Sequence, residues 1–260
     1  SLARAGIPIG ILVKRYIKFK YDINVPHYSI SIIRGRGIDD NAMKYLLEKY
    51  RPQQILFVDG WIGKGAILNE LKKDISAYEG VSADIAVVAD PANVTELCGT
   101  HEDILIPSSC LNSTVSGLIS RTFLRDDIIG RDDFHGAVYY GELTDSDLSY
   151  DFIETIEKEF NMENTPDLEK RVESQGIDEV INIGKNFGID DINLIKPGIG
   201  ETTRVLLRRI PWKVLIDERY KGNPQLEHIV RLAEEKHTPV EYYPLTHYKC
   251  CGIIKKLADA

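Results

Sequence analysis

Nowhere in its 260 residues does this chain contain the roughly 18 to 20 uninterrupted apolar positions that a membrane helix needs. Its apolar start is broken by Arg4, Lys14 and Arg15, inside the stretch that a signal peptide keeps neutral. A spanning helix is therefore excluded, no membrane partner is expected, and the expected location is cytoplasmic. Cysteine is sparse as well. The four residues, Cys98, Cys110 and the adjacent Cys250 and Cys251, form neither a disulfide framework nor the paired CxxC spacing of a zinc site, so reduced thiols are expected. His228, His237 and His247 lack zinc-ligand spacing, and no metal-binding set is read from the sequence. Internal repeats and low-complexity tracts are also lacking.

Basic charge is in deficit, with 32 Lys and Arg against 40 Asp and Glu, and the net of -8 argues against general nucleic-acid affinity for the whole chain. The deficit is uneven. Residues 192–260 hold 12 basic against 8 acidic side chains, a net of +4, which leaves residues 1–191 with 20 against 32, a net of -12. A basic module behind an acidic one fits a chain whose tail alone approaches a polyanion, although a solvated basic surface would give the same count.

What is present, at 43% hydrophobic content, supports two compact domains. The turn Arg4-Ala5-Gly6 leads through Pro8 into an apolar stretch, residues 7–17, that reads as a helix. A strand should precede such a turn and none does, so the N-terminal part of this domain is expected to be missing. Residues 27–33 read as a strand ending in Arg34-Gly35-Arg36-Gly37, followed by a helix from Asp39 or Asp40 to Tyr50. Residues 55–58 read as a strand stopped by Asp59 and Gly60, the turn Trp61-Ile62-Gly63-Lys64-Gly65 follows, and residues 66–73 read as a helix. Strands at 85–89, closed by Asp90-Pro91, and at 104–106, closed by Pro107, continue the pattern. Short apolar strands separated by helical stretches predict a parallel doubly wound α/β sheet, with ligands at the carboxyl ends of its strands. A polar stretch with Thr165-Pro166-Asp167 as a helix start marks the junction. The division is a first domain over 1–160, a linker over 161–175 and a smaller α/β/α domain over 176–260. In the second, strands are predicted at 192–195, 212–216 and 240–243, and helices at 201–209, 224–236 and 248–257.

The loop after Val58 carries most of the chemistry. Its glycines let amides converge on an anion, the next helix offers its positive end, and Lys64 adds a cation. The Walker pattern is not met, because Lys64 is followed by Gly65 and Ala66 with no hydroxyl for magnesium. Thiol catalysis needs a cysteine beside a histidine. Cys98 has His101 three residues on, and Cys110 shares its domain with His135, so pairs are conceivable. Neither lies in a family-type local signature, and both cysteines are read as small buried apolar residues.

The stretches SLARAGIPIG, HYSISIIRGRGID, ILFVDGWIGKGAI and IPSSCLNSTVSGLISRT resemble the StiP family, whose members carry the label of cysteine protease and whose domain resembles the type I phosphoribosyltransferases. That second resemblance implies a transferase-like fold and Mg2+ with phosphoribosyl pyrophosphate as the bound group. Asp59 would meet the ribose hydroxyls, Arg4 would stabilise the leaving charge with magnesium, and Arg34 and Arg36 would belong to the mobile loop that covers that charge. Ala3, Ala5 and Gly6 would form the pyrophosphate loop, and Gly60, Trp61, Gly63, Lys64, Gly65 and Ala66 the loop over the 5′-phosphate. Asn112, Ser113, Thr114 and Ser116 would receive the acceptor. The transferases mostly carry two acidic residues before the loop, whereas here Gly60 holds the second position.

Further on, Gly198-Ile199-Gly200-Glu201-Thr202-Thr203-Arg204 resembles the Gly-x-x-Glu-x-Thr-Lys/Arg loop of the Pelota and kink-turn-binding ribosomal protein superfamily, and the resemblance continues through VLLRRIPWKVLID and PQLEHIVRLAEEKHTPVEYYP. It implies structured RNA as partner, met by Gly198, Gly200, Glu201, Thr202, Thr203, Arg204 and Arg208. The expected function is a phosphoribosyltransferase-like protein that binds phosphoribosyl pyrophosphate or a nucleotide, coupled to RNA binding, in a stress-linked pathway. The alternatives are a non-catalytic nucleotide-sensing regulator that binds RNA and a cysteine peptidase.

Overall fold

The computed structural model describes residues 1–111, 113–163 and 173–256. Its elements in chain order are α1 (Gly6–Tyr21), β1 (Ile32–Ile33), β2 (Gly37–Ile38), α2 (Asp40–Lys49), β3 (Phe57–Trp61), α3 (Ala66–Ile75), β4 (Ile85–Ala89), β5 (Cys98–Thr100), α4 (Pro107–Cys110), β6 (Ile119–Phe123), β7 (Gly136–Tyr139), α5 (Ser149–Glu157), α6 (Gly176–Phe187), β8 (Ile195–Pro197), α7 (Ile199–Arg208), β9 (Pro211–Ile216), α8 (Glu227–Glu235), β10 (Val240–Tyr242) and β11 (Cys250–Ile254). The protein is α/β, with a parallel three-stranded sheet of order β3-β4-β5 and a four-stranded sheet of order β10-β9-β11-β8. Two antiparallel pairs, β1 with β2 and β6 with β7, complete it. Among the described residues no helix is long and apolar enough to cross a membrane.

The chain divides into two compact units, one of residues 1–61, 66–88 and 107–168, the other of residues 62–65, 89–106 and 169–260. In the first unit several elements follow directly from local sequence. Asp39 caps α2 by accepting from the Ala42 amide at 3.0 Å, and α1 buries Ile9 and Leu12. Three expectations fail. The strand expected over 27–33 is reduced to Ile32–Ile33 and an isolated bridge from Leu2 to Ile30. Residues 104–106 form no strand; the third strand is Cys98–Thr100. Asp59, Gly60 and Trp61, expected in a loop, lie within β3. The hairpin of β6 and β7 and the helix α5 went unread. Thr165-Pro166-Asp167 lies outside the described residues.

The second unit is a three-layer sandwich. In its sheet β9 pairs in parallel with β10 and antiparallel with β11, which also pairs antiparallel with β8. Successive side chains of a strand point to opposite faces. Leu215, Cys251 and Ile253 accordingly meet Val180 and Ile183 of α6, while Val214, Ile216 and Cys250 meet Leu206 of α7 and Ile229 and Ala233 of α8. The helix expected over 248–257 is the strand β11, with Leu257 outside the described residues. Both of its faces are covered, so CCGII reads as one unbroken apolar run, and such a run has no period that tells a strand from a helix.

Candidate active site

β4 ends at Ala89, and Asp90 opens the connection that leads to β5. Its amide donates to the Thr100 carbonyl at 2.9 Å, and its Oδ2 accepts from the amides of Val94 at 2.7 Å and Thr95 at 2.8 Å. The carboxylate thus ties down the start of this connection, and β5 begins with Cys98 and delivers His101 just past its end.

Here His101 Nδ1 lies 2.9 Å from the backbone oxygen of Asp90. A carbonyl can only accept, so Nδ1 carries the hydrogen and Nε2 presents its lone pair. Cys98 Sγ stands beside the ring, 3.6 Å from Nε2 and 3.8 Å from Nδ1. The Asp90 Oδ2 stands 3.6 Å from Nδ1, too far for a hydrogen bond. Asp90 is fully buried and Cys98 7% exposed, while the His101 side chain keeps 15% of its surface open. The flanking residues Glu96, Leu97, Gly99 and Glu102 are exposed, which places the trio just beneath the surface. A thiol facing an imidazole base, with a third group orienting the ring, is the arrangement of an activated nucleophile.

The other cysteines differ. Cys110 ends α4, and His135 is held by Ser31, whose Oγ is 2.9 Å from its Nδ1, and by Asp39, which accepts from its amide at 2.7 Å. Cys250 and Cys251 are buried in the strand β11, and burial pushes both thiols up. All four cysteines are buried and none is in a disulfide, and Cys98 has an imidazole beside it. Missed was Asp90. The signal was faint: an acid at a strand end, eight residues before Cys-Gly-Thr-His.

The residues expected around the sugar phosphate lie as follows. Asp59 is half-buried, its Oδ1 accepts from the Gly60 amide at 2.7 Å, and burial pushes its carboxyl up to about 6. Arg4 donates to the carbonyls of Leu111 at 2.7 Å and Ser108 at 3.3 Å. Ala3 donates to Ile30, Ala5 precedes α1, and Gly6 is buried. Arg34 and Arg36 are exposed in the turn between β1 and β2. Lys64 donates through Nζ to the carbonyls of Ile192 at 2.8 Å and Ile195 at 2.9 Å, and the Gly63 carbonyl accepts from the Tyr248 hydroxyl at 2.6 Å. Gly65 and Ala66 lead into α3. Ser113 and Ser116 are buried, the latter donating to Ile119, and Thr114 accepts through its carbonyl from Leu148. Asn112 lies outside the described residues.

In the second unit Gly198 takes φ +89°, a value that favours glycine, and α7 begins beyond it. Gly200 is buried there. Thr202 and Thr203 are buried too, the hydroxyl of Thr203 donating to the Ile199 carbonyl at 2.8 Å. Glu201 and Arg204 pair at 2.6 Å, while Arg208 is exposed. The amide of Ile199, the first of the helix, is taken by Asp103 Oδ1 at 2.9 Å.

Fold and trio together define an α/β protein with a thiol–imidazole pair at a strand end. Residues 1–157 match the family described as tellurite-like stress resistance cysteine protease StiP, and residues 174–256 match the PELOTA RNA binding domain. A relative from Acinetobacter baylyi, the cysteine protease StiP, is 32% identical over 278 aligned positions that take in 99% of this chain and 72% of that protein. The chain belongs to the StiP family and carries a Pelota domain behind the family region. No solved structure matches it.

These matches overturn the expected phosphoribosyltransferase. Family and relative are both named for a cysteine protease, and nothing supports transfer of a phosphoribosyl group or a sugar-phosphate partner. The shared glycine-loop pattern misled because a strand, an acid and a glycine turn serve many ends. The cysteine peptidase, kept as an alternative, is the reading the family favours.

Proposed function

We propose that this chain is a thiol-dependent peptidase, with Cys98 as nucleophile and His101 as base, joined to a domain that binds structured RNA. The observation that carries the catalytic half is the 3.6 Å approach of Cys98 Sγ to His101 Nε2 on a ring fixed through its other nitrogen. Nε2 takes the thiol proton, and Sγ attacks the carbonyl carbon of a peptide bond. The tetrahedral adduct collapses with loss of the C–N bond, and the proton passes from Nε2 to the departing amine. A thioester remains on Cys98. Water gives a proton to Nε2, adds to the thioester and releases the acid, and Sγ recovers the proton. Asp90 holds the tautomer through its carbonyl.

The RNA-binding half rests on the Pelota match and on a basic edge. Arg208 and Arg209 are exposed and Arg204 is half-exposed, so they can meet phosphates, with Gly198 and the first turns of α7 as the segment that approaches the RNA.

Alkylation of the native protein by iodoacetamide near neutral pH, read cysteine by cysteine in a mass spectrometer, tests the nucleophile. Cys98 should react first, and His101→Ala should slow it by at least about tenfold, with hydrolysis of a peptide library lost in Cys98→Ala. A Cys98 as inert as Cys250 and Cys251 would end the proposal.

A further inference from the structure

The same three residues, nucleophile, base and orienting acid, are also a set of metal ligands. We propose that Asp90, Cys98 and His101 form a site for a divalent ion of the zinc class, and that the bound ion switches the thiol off. The second clause rests on the peptidase reading; the first stands by itself.

One ligand atom from each residue lies within 4.8 Å of the others. Tetrahedral zinc with bonds of about 2.0 to 2.3 Å sets its ligands about 3.3 to 3.6 Å apart. His101 Nδ1 is 3.6 Å from Asp90 Oδ2 and 3.8 Å from Cys98 Sγ, so two edges of the tetrahedron are nearly formed. The amides of Val94 and Thr95 that donate to Oδ2 fix that oxygen, as outer hydrogen bonds orient metal-ligating carboxylates. Sulfur, imidazole nitrogen and one carboxylate suit zinc and its neighbours and not magnesium or calcium, which take oxygen ligands. Three protein ligands leave a fourth position for water.

The two states exclude each other through the imidazole tautomer. As a base, His101 carries hydrogen on Nδ1 and uses Nε2. As a ligand it gives the Nδ1 lone pair to the metal, breaks its bond to the Asp90 carbonyl and carries hydrogen on Nε2, which then has none to accept. The thiol releases one proton to solvent, and the sulfur electron pair is committed to the ion.

The test uses the full chain, stripped with a chelator and titrated with zinc chloride by calorimetry. Cobalt serves as a coloured substitute whose charge-transfer absorption reports a thiolate bond. One equivalent should bind, and Cys98→Ser and His101→Ala, changes at the less buried members of the trio, should each weaken binding at least about tenfold. Zinc should also stop alkylation of Cys98, magnesium should not, and excess chelator should restore it. Binding that is unchanged in both variants overturns the site. So does rapid alkylation of Cys98 that zinc leaves untouched, a result under which the peptidase reading survives. A cobalt–thiolate absorption lost in Cys98→Ser, in a chain whose metal-free Cys98 resists alkylation, establishes the metal site and removes the peptidase.

Discussion

Asp103 is 1% exposed, and its two oxygens accept from the amides of Ile199 and Lys249 at 2.9 Å each. Burial outweighs these bonds and pushes its carboxyl up to about 6. An acid whose pKa is raised on folding binds its proton more tightly in the native state, so between about pH 4 and pH 6 the native chain holds more protons than the unfolded one. Stability from this group is therefore greatest below about pH 4 and falls as pH rises through 6, by an amount on the order of 3 kcal/mol for a shift of about two units. His27 opposes it: burial lowers that ring to about 4, so its share of stability rises with pH over nearly the same window. The informative quantity is thus a difference. Urea midpoints of wild type and Asp103→Asn, measured from pH 4 to 7, should converge as pH rises, the wild type losing ground. Parallel curves would mean that Asp103 titrates as it does in the unfolded chain.

At the scale of elements, β11 is the strand on which the second unit depends. It lies between β9 and β8, and α7 packs on it so closely that a Cβ at Gly252 would sit 3.2 Å from Thr202 Cα and 3.2 Å from Val205 Cβ. Backbone on one side and a branched carbon on the other give little room, so Gly252→Ala should cost about 1 to 3 kcal/mol, read as a lower urea midpoint with an unchanged slope. A neutral substitution would show that α7 can lift away at no cost. What could be read from the sequence follows the same local logic. The Asp39 cap of α2, the apolar run of β4 and the helix α3 were legible because their causes lie within a few residues. β11 was not, since only its neighbours on both faces make it a strand. Nor was β5: three residues, Cys-Gly-Thr, carry little strand preference, yet it is this strand that holds Cys98 and His101 beside Asp90. The pair could be suspected from its spacing, and the third member only from the fold.

For the molecule as a whole, charge decides how RNA can be met. Residues 1–191 carry a net of -12 and residues 192–260 a net of +4, so a polyanion is repelled by most of the chain and attracted by its tail. The tail's helix end is not open to a phosphate at its first amide, because Asp103 occupies it. Thr202 and Thr203 are buried, which makes them poor reporters of RNA contact, since their loss would disturb packing first. On the proposed reading the electrostatic work falls to Arg204, Arg208 and Arg209. If each neutralises one phosphate, the logarithm of affinity for a structured RNA should fall against the logarithm of salt with a slope of roughly -2 to -3. Arg208→Ala should reduce that slope by about one and weaken all RNAs alike, whereas Glu201→Gln, which frees Arg204 from its partner at 2.6 Å, should strengthen binding at low salt. A slope that ignores the loss of both Arg208 and Arg209 would place the RNA on another face of the domain.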